Sequence, residues 1–300
     1  AFGNLICPTD DVELNYIHVL FEWEQEPDAI GYNLQVSTEQ HFNSLLLDVD
    51  DVTNVYVDKD NINWNDTYYW RVRPLYDCDG CDYIYGDWIS TNDFSITGRI
   101  TGSNGTSVDI INDNLYNDGL TLMGDLSDDN RSFAFDKNGK EIWNDRNLNL
   151  ITNHVNKYGQ IFGCSFSNFP QSTGSLINYD NEYQWQGPDN LYIDVHEVKS
   201  IPNGNYMGFV PVYKDHYVPN SNNFSQIPDT IDFTFEDNIP GFGNFEYPWR
   251  LKGEKIVEWD NLGNEIWSWN VFDYYNLDDF DYLNNFWEEA AGNSTDFDWT

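Results

Sequence analysis

Apolar and polar positions alternate in short runs along residues 1–98. Val19, Phe21 and Trp23 are spaced two residues apart, and similar runs cover 32–37 and 69–73. Side chains of a β-strand point alternately to opposite faces, so runs of this kind, separated by polar turns, predict strands with one buried face. Several such strands at regular spacing favour a β-sandwich over this part of the chain.

The pattern changes after residues 99–107, which are small and polar and are typical of a linker. Residues 133–143 carry two apolar runs around an Asp-x-Asn-Gly sequence, which predicts a β-hairpin. Residues 176–185 are a looser copy of this hairpin, and residues 255–269 are a longer one. The sequence therefore predicts an internally repeated β-structure.

A second segment follows each of the first two hairpins, at 153–163 and at 195–209. Each segment contains a histidine, His154 in the first and His196 in the second. A period of about 45 residues with several short strands is typical of β-propeller blades, which bury their faces by stacking on one another.

The predicted fold class is therefore all-β. It comprises a β-sandwich over 1–98, a linker over 99–107 and a partial β-propeller of about 45-residue blades over 108–300. Apolar residues at helical spacing predict one helix, over 277–291, as an excursion between blade strands.

The charge balance excludes two classes of partner. Acidic residues number 51 against 14 basic ones, which gives a formal net charge of -37. Nucleic-acid binding needs clustered Lys and Arg, so we expect no nucleic-acid partner. Aromatic residues make up 17% of the chain, which is enough for a packed core and argues against disorder. No apolar run is long enough to span a bilayer, so we also expect no membrane insertion.

The chain has four cysteines, Cys7, Cys78, Cys81 and Cys164. The Cys-Asp-Gly-Cys sequence at 78–81 fits a redox motif, half of a zinc site or a small disulfide loop. No second such pair completes a zinc site, so we predict a disulfide between Cys78 and Cys81, with Cys164 free and buried. Together with the absence of an initiator Met, this favours a secreted protein in an extracellular or cell-surface setting, with the periplasm as the alternative.

The first 98 residues resemble a fibronectin type III domain. The segments that carry the resemblance are 21–23, 31–36, 68–73 and 88–90, which match its B, C, F and G strands. Such modules act as spacers or docking units, and the resemblance implies that role for this part of the chain.

The later residues resemble a family of enzymes. His196-Glu197, followed by Pro-Asn-Gly-Asn at 202–205 and by the hairpin at 259–269, is similar to the blade motifs of the arylsulfotransferases. These secreted six-bladed β-propellers transfer a sulfuryl group from a phenolic sulfate to another phenol. The resemblance covers about residues 120–300. The family's next motif, Asp-Trp-x-His-x-Asn, begins at Asp298 and is cut after Thr300, so we expect the natural protein to continue.

The resemblance implies a histidine-centred site in the propeller funnel. A neutral imidazole can act as the nucleophile that carries the sulfuryl group, and cationic side chains can hold its oxygens. His196 matches a family position that opens onto the funnel and is the first catalytic candidate; His154 is the second. The implied substrates are a phenolic sulfate and a phenol, and the reaction requires no cofactor.

Asp77, Asp79 and Asp82 have the oxygen spacing of a short calcium loop. They lack the closing Glu of the complete EF-hand pattern, and in so acidic a chain a solvated loop is the simpler interpretation. Calcium is therefore the one metal candidate.

A different class of function fits the same sequence. The interrupted histidine motif and the scarcity of basic residues that could bind sulfate favour a non-catalytic extracellular surface or matrix protein. Such a protein would serve adhesion or self-assembly into polymers, with a second copy or a cell-surface molecule as its partner.

Overall fold

A computed structural model describes residues 3–101, 107–109, 112, 115, 119–125, 131–168, 171–188, 191–194, 198–216 and 249–274. Within these ranges the regular structure is twenty β-strands and one four-residue helix, which confirms the all-β prediction. No helix in the described ranges is long and apolar enough to cross a membrane. The helix predicted over 277–291 lies outside the described residues.

The first nine strands form a two-sheet sandwich. One sheet has the order β1–β3–β6 and the other has the order β2–β9–β7–β4–β5, with β8 paired to β7. The strands are β1 Leu5–Cys7, β2 Val12–Leu14, β3 Val19–Trp23, β4 Ala29–Ser37, β5 Leu47–Asp51, β6 Val55–Asp58, β7 Thr67–Tyr76, β8 Ile84–Tyr85 and β9 Thr91–Ile96.

Large aromatic side chains fill the space between the two sheets. Phe21 of β3 packs edge-on against Trp70 of β7 and Phe94 of β9, with ring centroids 5.2 and 5.9 Å apart. Val19, Phe21 and Trp23 are completely buried, as their two-residue spacing predicts. The alternating pattern therefore identified the inner face of β3 correctly.

Three further sheets follow, each an antiparallel meander of consecutive strands. The first contains β10 Thr121–Asp125, β11 Arg131–Phe135 and β12 Glu141–Asn144. The second contains β13 Leu150–Val155, β14 Ile161–Asn168, β15 Gln171–Ile177 and β16 Tyr183–Gln186. The third contains β17 Val198–Ser200, β18 Tyr206–His216, β19 Trp249–Trp259 and β20 Glu265–Asn270, and helix α1 (Val271–Tyr274) follows it. All three hairpins predicted from the sequence are present, as β11–β12, β15–β16 and β19–β20.

The contacts divide the chain into two compact units, 1–152 with 178–182, and 153–177 with 183–300. The first unit contains both the sandwich and the β10–β12 sheet. Hydrogen bonds hold these together: the Ile17 amide donates to Ile142 (3.0 Å) and the Asn144 amide donates to Asn15 (3.1 Å). The sequence pattern predicts a boundary at 99–107 between the sandwich and the repeat region. This boundary stays a prediction.

The second unit has its own apolar core between the β13–β16 and β17–β20 sheets. Its buried members are Phe162, Cys164, Leu176, Trp185, Ile193, Val198, Val210, Val257 and Trp259. The two sheets approach closely at Gly174, where a Cβ atom would lie 2.6 Å from the Val198 side chain. Glycine is therefore required at this position by the packing of one sheet on the next.

Candidate functional site

One five-residue turn occurs five times in the repeat sheets. In each copy the first amide donates to the fifth carbonyl, and the fourth amide donates back to the first carbonyl. The fourth residue always has a positive φ, between 65° at Asn181 and 89° at Gly204. Glycine and asparagine tolerate this left-handed conformation, which explains their recurrence there. The five turns are 136–140, 156–160, 178–182, 201–205 and 260–264.

An Asp or Asn side chain closes four of the five turns from within. At Asp260, Oδ1 accepts hydrogen bonds from the Leu262 amide (2.9 Å) and the Asn264 amide (2.8 Å). The side chains that begin turns 136–140, 156–160 and 178–182 accept the equivalent pair of amides. The side-chain oxygen thus takes the place of water as the acceptor for two amides at the exposed end of the hairpin. The conformation of the turn is therefore determined by its own five residues.

A tryptophan follows three of these turns at the same distance, as Trp143, Trp185 and Trp267. The indole of Trp143 donates to the carbonyl of Tyr179 (2.7 Å), and the indole of Trp185 donates to the carbonyl of Asp260 (3.3 Å). Each of these tryptophans thus reaches the last hairpin turn of the following sheet. Both are only 5% exposed, so the tryptophans at these two positions are packing residues.

Of the two candidate catalytic histidines, only His154 lies within the described residues. His154 lies at the end of β13, where it is exposed and its ring centroid is 5.8 Å from that of Phe162. His196 lies outside the described residues. His154 is two residues before its turn at 156–160, whereas His196 is five residues before the turn at 201–205, so the two differ in position relative to the repeated turn.

The predicted disulfide is present. Cys78 and Cys81 are bonded in the loop between β7 and β8, with their Cα atoms 5.6 Å apart. Cys164 is free and buried, also as predicted. The same loop carries Asp77, Asp79 and Asp82, which are all exposed. In the part of the chain that the structure describes, no three acidic, His or Cys side chains are grouped to hold a metal ion, and a calcium site here stays a prediction.

Sequence reasoning did not anticipate an alternating stack of aromatic rings and guanidinium groups on the outer face of the sandwich. The guanidinium carbon of Arg71 lies 4.0 Å from the ring centroid of Phe42 and 3.9 Å from that of Trp88. The guanidinium carbon of Arg73 lies 4.3 Å from the Trp88 centroid and 3.6 Å from that of Tyr85. The order of the stack is Phe42, Arg71, Trp88, Arg73, Tyr85. Cation–π contacts of this kind hold long polar side chains in one conformation.

This stack explains why β4 is buried on both faces. Arg71 Nη2 donates to Gln35 (2.7 Å), and Arg73 Nε donates to Asn33 (3.0 Å). Asn33 in turn donates to Asp48 and Asp50, so two carboxylates lie close to the two guanidinium groups. Burial, together with the neighbouring charge of Arg73, lowers the pKa of Arg71. The arrangement is a satisfied polar layer that fixes the outer face of the sheet.

A second feature that the sequence did not reveal is the buried carboxyl group of Asp145, between β12 and β13. Its Oδ2 accepts a hydrogen bond from the Leu150 amide (2.8 Å), and its own amide donates to Ser132 (3.0 Å). The side chain is completely buried, and burial raises its pKa to about 6. Asp145 therefore holds the connection between two consecutive sheets and titrates near neutral pH.

In comparisons with known proteins, the sequence matches no protein-family model and no curated protein.

Proposed function

We propose that this chain belongs to an extracellular arylsulfotransferase-like protein, which transfers a sulfuryl group between phenolic compounds. One observation carries the proposal. The Asp-x-x-Gly-x-x-x-Trp hairpin of that family occurs at 136–143 and at 260–267, and both copies form the same turn with the same internal hydrogen bonds. An Asn-containing variant at 178–185 forms it as well.

The sheet organisation supports the same proposal. The β13–β16 and β17–β20 sheets are four-stranded antiparallel meanders, the form of a propeller blade. In the sandwich, the order β1–β3–β6 opposite β9–β7–β4–β5 is consistent with a fibronectin type III module. We interpret that module as a spacer or docking unit beside the propeller.

In the proposed reaction, His196 is the nucleophile. A neutral imidazole nitrogen attacks the sulfur of the aryl sulfate, the ester S–O bond breaks, and the phenolate leaves with the bond's electron pair. The oxygen of the acceptor phenol then attacks the sulfur, the S–N bond breaks, and the phenol's proton is lost to a base. Sulfur keeps its oxidation state throughout, so the reaction consumes no oxidant or reductant.

The full natural protein should convert 4-nitrophenyl sulfate to nitrophenolate over many turnovers only when a phenol acceptor is present; without acceptor, release should stop at about one equivalent per protein. We expect the His196→Ala variant to lose this turnover. The matched His41→Ala variant should keep it, because His41 is exposed in the sandwich, between β4 and β5. An absence of acceptor-dependent release across pH values of roughly 6 to 9, or full activity of His196→Ala, would count against the proposal.

A non-catalytic surface protein that self-assembles is the second candidate. The exposed apolar side chains of Leu262, Ile266 and Trp267, in the β19–β20 turn and in β20, favour it. A protein without sulfuryl transfer that forms ordered polymers in electron micrographs would support this alternative.

A further inference from the structure

The connection between β6 and β7 contains an acceptor sequence for N-linked glycans. The pattern Asn-x-Ser/Thr, in which x is not proline, is such an acceptor when it lies on the surface of an exported protein. The chain has five of these triplets, which begin at residues 65, 104, 130, 223 and 293. Asn65-Asp66-Thr67 is the triplet whose asparagine and hydroxyl residue both lie within the described ranges, and all three of its residues are exposed.

The backbone of this triplet is fixed, whereas its two acceptor side chains are not bonded. The Asn65 backbone amide donates to the Thr97 carbonyl (3.1 Å). The Ile96 amide donates to the Asp66 carbonyl (2.9 Å). Within the described ranges, the side-chain amide of Asn65 and the hydroxyl of Thr67 make no hydrogen bond. A glycosyltransferase can therefore engage both groups without breaking a hydrogen bond of the fold.

Asn65 differs in this respect from another asparagine with the same backbone conformation. Asn65 and Asn181 have φ values of 64° and 65°, in the left-handed region that asparagine tolerates. The side-chain amide of Asn181 donates to the carbonyl of Asn144 (3.3 Å) and thus takes part in packing. The side-chain nitrogen of Asn65 has no such partner in the described structure and remains available for chemistry.

The hydroxyl residue of a second triplet, 130–132, has the opposite surroundings. Ser132 is completely buried, and its hydroxyl donates to the Leu150 carbonyl (2.6 Å) and accepts the Thr152 amide (2.9 Å). In the folded chain this hydroxyl is not accessible to an enzyme, whereas that of Thr67 is. The structure therefore distinguishes two hydroxyl residues that the sequence pattern treats alike.

We propose that Asn65 is the acceptor of an N-linked glycan when the chain is exported. The donor is an oligosaccharide carried on a lipid pyrophosphate. Asn65 Nδ2 attacks the first sugar carbon, and the bond from that carbon to the pyrophosphate oxygen breaks. The lipid pyrophosphate leaves with the electron pair, and Nδ2 loses a proton to a base. The proposal rests on the extracellular setting of the proposed function and does not involve sulfuryl transfer.

Secretion of the full chain from a eukaryotic expression host, behind a signal peptide, tests the proposal. An amidase that removes N-linked glycans converts each glycan-bearing asparagine to aspartate, and heavy-oxygen water labels that aspartate for mass spectrometry. We expect the label at Asn65 in the unaltered protein. Thr67→Ala should lose this label, because it removes the hydroxyl that the enzyme recognises. The matched Thr67→Ser variant should keep it, because serine retains the hydroxyl.

Thr67 is exposed, so both variants should fold, and circular dichroism confirms it. If Thr67→Ala is not secreted, Asn65→Asp replaces it: this change removes the acceptor nitrogen, and aspartate tolerates the positive φ. The intact Asn65→Asp protein should migrate faster in electrophoresis by the loss of one glycan. An unlabelled Asn65 in the secreted unaltered protein, a retained label in Thr67→Ala or a lost label in Thr67→Ser would overturn the proposal. Because the host supplies the export, such a result would leave the sulfuryl-transfer proposal to its own assay.

Discussion

Trp185 and Trp267 occupy the same position in two copies of one hairpin, and replacing each by alanine should have very different effects on stability. Trp185 is 5% exposed and stacks on Tyr206 with ring centroids 4.0 Å apart and planes 11° apart. Trp267 is 48% exposed. Comparing the two substitutions therefore separates the contribution of side-chain packing to stability from that of the hairpin motif.

The expected magnitudes follow from the buried area. A buried aromatic side chain removes roughly 150–250 Å² from water, and about 25 cal/mol per Å² gives about 4–6 kcal/mol. The remaining methyl group and partial relaxation bring the expected loss for Trp185→Ala to about 3–5 kcal/mol. The Asp260 carbonyl keeps its bond from Gly263, so no buried acceptor is left without a partner. Trp267→Ala leaves no internal cavity and should cost about 1–2 kcal/mol.

Urea unfolding followed by far-ultraviolet circular dichroism measures both losses. Hydrogen exchange in the peptide containing β18 should show where the protein is loosened, because Tyr206 begins this strand. The chain has two compact units, so their transitions are fitted separately if they do not coincide. A loss below about 1 kcal/mol for Trp185→Ala, or equal losses for the two variants, would refute the packing argument.

Three further predictions concern single positions. The raised pKa of Asp145, about 6 in the folded chain, means that its contribution to stability is complete below about pH 4 and is lost as the pH rises through 6. Asp145→Asn should abolish this loss, which amounts to roughly 2–3 kcal/mol between pH 4 and 8, and urea titrations at several pH values would show it. Gly159→Ala should lower the free energy of unfolding by about 1 kcal/mol, because the φ of Gly159 is 77°. A Cβ atom would meet nothing within 4 Å, so the loss comes from the backbone alone, and Gly159→Asn should lose less. Gly174→Ala should cost about 1–3 kcal/mol through its clash with Val198, and thermal unfolding of the three glycine variants would rank them. A lower melting temperature for Gly159→Ala than for Gly174→Ala would contradict this ranking of backbone strain below packing.

Local patterns predicted the elements well where each element is specified by its own residues. The spacing of Val19, Phe21 and Trp23 identified the buried face of β3, and the Asp-x-Asn-Gly sequence located the turn of the β11–β12 hairpin. Burial of Asn33 and Gln35 was not predictable in the same way. Polar residues on an alternating strand are expected to face water, but here arginines of β7 and carboxylates of β5 cover them.

The candidate site was predictable only in part. The disulfide between Cys78 and Cys81 followed from their spacing, because two cysteines three residues apart can meet within one loop. Motifs identified the two histidines as candidates, but a motif does not show where a side chain lies relative to the rest of a folded sheet. His154 lies beside its turn, and the role of His196 stays a prediction.

The sequence by itself determined the β-rich class, the repeated hairpins, the turn chemistry and the disulfide, since each depends on residues that are close along the chain. The tertiary structure decided what the repeated tryptophans do. Trp143, Trp185 and Trp267 follow the same turn, yet two are buried and donate to a hairpin turn of the following sheet, whereas the third is exposed. Burial depends on which surface lies opposite a side chain, and residues distant in sequence supply that surface.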